Sequence, residues 1–183
     1  MHGIVTVLTE PHYERVAQLW RALKRQFGVG SPRATAVPHF SYHISPEYDL
    51  DALKQVLLET AVSTPPFTGK TTGIGIFPGD EPVVYIPVAR TPELQALHNN
   101  LWPRLQRIAQ GSAPESNYYA TSNWFPHITL GHSDINADNL GPIITWLNGQ
   151  SLTWEIQVNN LTLLHDKGDG SPHSPLHRAE LQG

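Results

Sequence analysis

Pro38-His39-Phe40-Ser41-Tyr42 and Pro126-His127-Ile128-Thr129-Leu130 repeat one five-residue pattern: proline, histidine, apolar residue, hydroxyl residue, apolar residue. In an extended strand side chains alternate between faces. His39 then shares a face with Ser41 and His127 with Thr129, while Phe40, Tyr42, Ile128 and Leu130 point the other way. Each segment offers a histidine and a hydroxyl to one cleft. Histidine followed two places later by Ser or Thr is a cheap pattern, and His43-Ile44-Ser45 supplies a third instance. The flanking proline and apolar positions, present twice, are what make the pair informative.

Outward from these segments the chain reads as two similar halves. Residues 3 to 8 alternate as a strand, and a helix follows over about 11 to 27, with Val16, Leu19, Trp20, Leu23 and Phe27 as its apolar stripe and Gly28 as its stop. The first motif strand spans about 36 to 45. Asp49 caps a second helix whose buried face is Leu50, Leu53, Val56, Leu57 and Ala61, ended by Pro65 and Pro66. Residues 67 to 77 and 82 to 89 read as a hairpin joined through Pro78-Gly79-Asp80-Glu81. Thr91 and Pro92 open a helix to about 109, with Leu94, Leu97, Leu101, Leu105 and Ile108 on one face. After a polar loop, 110 to 123, come the second motif strand, about 125 to 132, and a helix over about 137 to 148 carrying Leu140, Ile143, Ile144 and Leu147. Strands near 151 to 158, 161 to 166 and 177 to 181 close the chain. Helix, motif strand, helix, strands occurs twice, so the chain reads as a diverged duplication with facing motif strands.

The composition fits one domain of two lobes over residues 1 to 183, long enough to bury a real core. With 15% charged residues and a formal charge of -4, the chain carries no general bias toward long polyanions. Basic residues gather at Arg15, Arg21, Lys24, Arg25 and Arg33, on or just after the first helix, as a solvated face or an anion-binding one. The chain has no cysteine, which excludes disulfides and thiol chemistry. No apolar run approaches membrane-spanning length and no basic leader precedes one, so a cytoplasmic monomer is expected.

The paired motifs resemble those of the 2H phosphoesterases, a superfamily that includes the 2'-5' RNA ligase-like proteins and the cyclic nucleotide phosphodiesterases. It is defined by two His-apolar-Thr/Ser-apolar motifs about half a chain apart. Here they are His39-Phe40-Ser41-Tyr42 and His127-Ile128-Thr129-Leu130; the second is a typical form, and the first has Ser and Tyr where Thr and Leu are commoner. The resemblance implies a two-lobed α+β fold with duplicated sheet-plus-helix units and a central cleft. It also implies phosphoesterase chemistry on a 2',3'-cyclic phosphate or a 2'-linked phosphodiester of a nucleotide or RNA end. The alternatives on the same cleft are RNA 2'-5' ligation and a non-catalytic binder of nucleotide or RNA ends.

The chemistry asks for what the motifs supply. Two imidazoles divide proton removal from proton delivery near neutral pH, and the Ser41 and Thr129 hydroxyls donate hydrogen bonds to phosphoryl oxygens. No metal or other cofactor is needed. His39 is preferred over His43 as the first motif histidine, because it has the preceding proline and an apolar residue, rather than Pro46, after its hydroxyl. The close pairs His39 with His43 and His127 with His132 are poor metal sites, since strand residues four apart are separated by ~13 Å, and His173 with His177 lies in a Gly-, Pro- and Ser-rich loop. Tyr85, Tyr118, Tyr119 and Trp124 are candidates either for stacking a base or for the core.

Overall fold

A computed structural model describes residues 1–30, 37–111, 114–165 and 174–183; Arg33 and His173 therefore lie outside the described residues. The elements follow the two-half order. The first half runs β1 (His2–Val7), α1 (His12–Phe27), β2 (His39–Ser45), β3 (Glu47–Tyr48), α2 (Leu50–Ser63), β4 (Phe67–Lys70) and β5 (Gly75–Phe77). The second runs β6 (Val83–Pro87), α3 (Pro92–Ile108), β7 (Ala109–Gln110), a 3-10 turn (Pro114–Tyr119), β8 (His127–Gly131), α4 (Ala137–Asn148), β9 (Glu155–Val158), β10 (Asn160–His165) and β11 (Ser174–Glu180). The fold is mixed α+β with antiparallel sheets.

Local chemistry explains the boundaries. Asp49 accepts hydrogen bonds from the Asp51 and Ala52 amides, and Thr91 accepts one from Leu94 with Pro92 in the first turn, so two helix starts use the caps the sequence announces. Gly28 ends α1 with φ of 74°, a left-handed conformation that glycine takes without steric cost. Asn136 and Asn139 form a reciprocal capping box at α4 that no Ser or Thr signals. The stripe on α2 begins at Leu53, not Leu50, whose side chain in the first turn is 41% exposed. The expected strand 67–77 breaks in two at Thr71, whose hydroxyl accepts the Trp154 amide and donates to the Leu152 carbonyl.

The sheets show how the halves interlock. One has the order β11-β10-β1-β2 and another β5-β6-β8, so each motif strand is an edge strand, paired through its neighbour β1 or β6. The strand that completes each sheet comes from the opposite half: β10 pairs with β1, and β5 with β6. β4 and β9 pair across the middle. The helices exchange likewise, with α1 against β8 and α4, and α3 against β2 and α2. One continuous core results, holding Phe40 and Tyr42 from β2 beside Ile128 and Leu130 from β8. Each such side chain contributes about 1.5–3 kcal/mol by burial.

Buried histidines make this core sensitive to acid. His98 is wholly buried, stacked flat on Trp124 at 3.9 Å, with Nε2 donating to the Tyr42 carbonyl at 3.3 Å. Burial pushes its pKa down to about 4, and Arg90 and His43 act in the same direction. Between pH 6.5 and 4 the unfolded chain then binds more protons than the folded one, so stability is full above 6.5 and is lost as pH falls. From pH 7 to pH 5 His98 alone lowers unfolding stability by about 2 kcal/mol. Urea unfolding at the two pH values tests this, and a His98→Gln variant is expected to show the weaker pH dependence.

Candidate active site

The two motif segments fold alike at every position. The Pro38 carbonyl accepts the Leu8 amide at 2.9 Å, and the Pro126 carbonyl accepts the Val88 amide at 2.9 Å. Proline has no N–H to leave unpaired at the strand entrance, which is why it suits this place. His39 then pairs with Val7, Phe40 with Thr6 and Ser41 with Val5. Correspondingly His127 pairs with Pro87, Ile128 with Ile86 and Thr129 with Tyr85. Both ladders bulge just past the hydroxyl residue, so that His43 faces Ile4 and Gly131 faces Val84. Register therefore makes His39 the counterpart of His127, and His43 the counterpart of a glycine.

The imidazoles are also tethered alike. His39 Nδ1 lies 2.8 Å from the Val37 carbonyl, and His127 Nδ1 lies 2.7 Å from the Phe125 carbonyl, two residues back in each case. A carbonyl only accepts, so both rings carry the proton on Nδ1 and present Nε2 as the atom for proton exchange. His39, Ser41, His127 and Thr129 are half-buried, while Phe40, Tyr42, Ile128 and Leu130 are fully buried in the shared core. Since both buried faces enter one core, the histidine and hydroxyl faces of the two contacting strands look out from the same side of their seam.

His43 has a different role. It is fully buried, with Nδ1 on the Tyr48 hydroxyl and Nε2 donating to Gln106 Oε1 at 2.7 Å. Burial lowers its pKa, which suits a neutral structural imidazole. His132 follows β8 on the turn toward α4. Among the described residues no group of three or more His, Cys, Asp or Glu is placed to hold a metal ion.

Two tryptophans complete the seam. A sheet edge leaves alternate carbonyls unpaired. The Ser41 carbonyl accepts from Trp124 Nε1 at 2.8 Å, and the Thr129 carbonyl accepts from Trp20 Nε1 at 3.0 Å. Each half thus caps the motif strand of the other at the same position. Trp124 is fully buried between Tyr42, stacked at 5.6 Å, and His98, so it is core rather than a stacking platform. Tyr85 is also buried, and Gly75 opposite it leaves no room for a Cβ, which would come 2.2 Å from the Tyr85 ring. Tyr85, at 5.1 Å, and Phe77, at 5.0 Å, wall the His127 ring, and Phe125, half exposed, packs on both. Of the four aromatic candidates only Tyr118 is well exposed and Tyr119 partly so. Trp20, Phe77 and Phe125 carried no signal as site residues, because their role comes from pairings made across the chain. Burial holds the His127 pKa below the ordinary imidazole value, opposed by its bond to Phe125.

The pattern places the chain among known proteins. The 2'-5' RNA ligase superfamily matches residues 8–170, and the chain belongs to it. Its fold is similar to TT0787 of Thermus thermophilus, with 17% identity, a TM-score of 0.69 and coverage of 100% of this chain and 98% of that one. It is also similar to E. coli LigT, solved with 3'-AMP, with 22% identity, a TM-score of 0.60 and coverage of 100% and 97%. No curated protein matches the chain by sequence. Both structural relatives are members of the 2H phosphoesterase superfamily.

The reciprocal caps are testable. Trp20→Phe and Trp124→Phe keep an aromatic ring but remove the indole N–H, leaving a carbonyl unpaired. Each is expected to cost about 1–3 kcal/mol in urea unfolding. Trp146→Phe, at a half-buried position on α4, is expected to cost less.

Proposed function

We propose that the chain is a phosphoesterase that acts on a 2',3'-cyclic phosphate or a 2'-linked phosphodiester of a nucleotide or RNA end, without a metal, in the cytoplasm and as a monomer. The observation that carries this is the matched register and tether of His39 and His127. In hydrolysis one imidazole Nε2 takes a proton from water as its oxygen bonds to phosphorus. The P–O bond to a ribose oxygen breaks, and the other imidazole delivers the proton that this oxygen needs. Ser41 and Thr129 hydroxyls donate to the non-bridging oxygens as charge builds on them.

His127 is proposed as the base. Desolvation keeps it neutral at pH 7, with a lone pair on Nε2. His39 is then the acid. Support for a nucleotide ligand comes from LigT, a protein of similar fold that was solved with 3'-AMP.

The test is turnover of 2',3'-cyclic nucleotides in EDTA by wild type, His39→Ala and His127→Ala. Each substitution is expected to lower kcat by about 100- to 10,000-fold, and His43→Gln to leave far more activity if the variant stays folded. Loss of wild-type activity in EDTA would contradict the metal-free reading. Turnover surviving both alanine substitutions would contradict the two-histidine chemistry, and ligand binding without wild-type turnover would leave a binder. The pH profile carries the sign of the His127 shift. As the base must be neutral, kcat/KM is expected to rise on the acid side with a midpoint below 6.5, set by His127, and to fall at higher pH as the general acid loses its proton. A flat profile from pH 5 to 9 would contradict it.

A further inference from the structure

The rings around His127 are packed on their inner side and open on the outer one. Tyr85 stands opposite Thr129 on one side and Gly75 on the other, and Phe77 lies on it with ring centroids 4.2 Å apart. The Tyr85 ring covers residue 75 so closely that only glycine leaves room for it. Phe125 packs on both rings, at 5.9 Å and 75° to each. The space beneath Phe125 is thereby filled, its ring cannot sink into the core, and the residue stays 48% exposed. Eight large apolar side chains are exposed among the described residues, and Phe125 is the one that packs on the rings lining His127.

A lone exposed apolar residue is ordinary; the placement of this one is not. Phe77 and Tyr85 touch both Phe125 and His127, so the phenyl ring lies on the imidazole side of the chain. Alternation agrees, since residues two apart in an extended chain share a face at ~7 Å. The Phe125 carbonyl holds His127 Nδ1 at 2.7 Å, and the Pro126 carbonyl accepts the Val88 amide at 2.9 Å. The backbone that turns the imidazole therefore also carries the phenyl, and the two side chains keep a fixed spacing. That spacing matches the span of a ribose from its base to its phosphate.

A phenyl face offers stacking and dispersion but no hydrogen bond, so it suits a flat ring presented by its face. Stacking of a base on an aromatic side chain tolerates any base, because each has a π-face, and preferences among bases follow stacking strength. We infer that Phe125 is the platform for the base of the substrate, stacked there while the phosphate lies at His127 and Thr129. The inference rests on the proposed action on nucleotide phosphodiesters. Phe125 sets specificity, and Phe77 and Tyr85 position it. The site then takes all four bases, purines best, and discriminates against a sugar cyclic phosphate that has no base. The rival platform is Tyr118, 70% exposed on the 3-10 turn.

The experiment compares wild type, Phe125→Leu, Phe125→Trp and Tyr118→Leu on 2',3'-cyclic AMP and on methyl riboside 2',3'-cyclic phosphate, which carries a methoxy group in place of the base. Stacking on one ring corresponds to about 5- to 150-fold in affinity. Wild type is expected to prefer cyclic AMP by about tenfold or more in kcat/KM, through KM. Phe125→Leu keeps apolar volume without a π-face and is expected to cut this preference about fivefold or more. Phe125→Trp is expected to retain it, and so is Tyr118→Leu. A readout independent of turnover is the NMR spectrum of bound 3'-AMP. Its adenine protons are expected to shift upfield in wild type, as protons over a ring face do, and to lose that shift in Phe125→Leu. Equal kcat/KM for the two substrates in wild type, a preference or upfield shift that survives Phe125→Leu, or a preference lost in Tyr118→Leu would each overturn the inference. The two proposals fail separately. Turnover of both substrates without preference removes the platform alone, while a Phe125-dependent upfield shift in a wild type that opens no cyclic phosphate removes the catalytic reading alone.

Discussion

An edge strand carries backbone oxygens that must find a donor or meet water, and both motif strands of this protein are edge strands. The two bonds from Trp124 to the Ser41 carbonyl and from Trp20 to the Thr129 carbonyl meet that need from the opposite half. Each half thus supports the motif strand of the other. Exchange of β5 and β10 between the sheets, and the crossing of α1 and α3 to the opposite motif strand, follow the same reciprocal plan. The proposed site, with one histidine from each half, is then held by the same contacts that hold the halves together.

From this arrangement the chemistry of the motif follows position by position. Proline closes the ladder, the imidazole is turned by its own backbone two residues earlier, the apolar residue enters the core, and the bulge past the hydroxyl residue twists the strand away. Buried amide chemistry steadies the far side. Asn160 bonds both the amide and the carbonyl of Val7, the residue paired with His39, and Thr162 satisfies its remaining oxygen capacity. An unsatisfied amide there would cost about 1–3 kcal/mol, so the group fixes the end of β1 firmly.

Much of this was legible in the chain. The period-2 pattern of Phe40, Tyr42, Ile128 and Leu130 named the buried faces, and Asp49, Thr91 and Gly28 named helix ends, because these signals act over a few residues. What the sequence left open depends on partners far along the chain. Pro38 and Pro46 favour His39 over His43 in the chain, but the physical reason, the bulge opposite Ile4 and Val5 and the burial of His43 against Tyr48 and Gln106, comes from other elements. Trp20 fits a helix core stripe, yet its indole nitrogen serves a strand 109 residues away. Tyr85 and Trp124 read either as core or as base-stacking aromatics, and the Gly75 and His98 contacts that place them in the core come from other elements.

The central claim is that His39 and His127 face one phosphate. It is tested most directly by an NMR titration of the imidazole signals with a nucleoside 3'-monophosphate. Both His39 and His127 are expected to shift with one saturation concentration, and the pKa of each to rise as the phosphate binds, while buried His43 and His98 stay in place. Movement of only one of the pair, or a response of His43 in place of His39, would contradict the account.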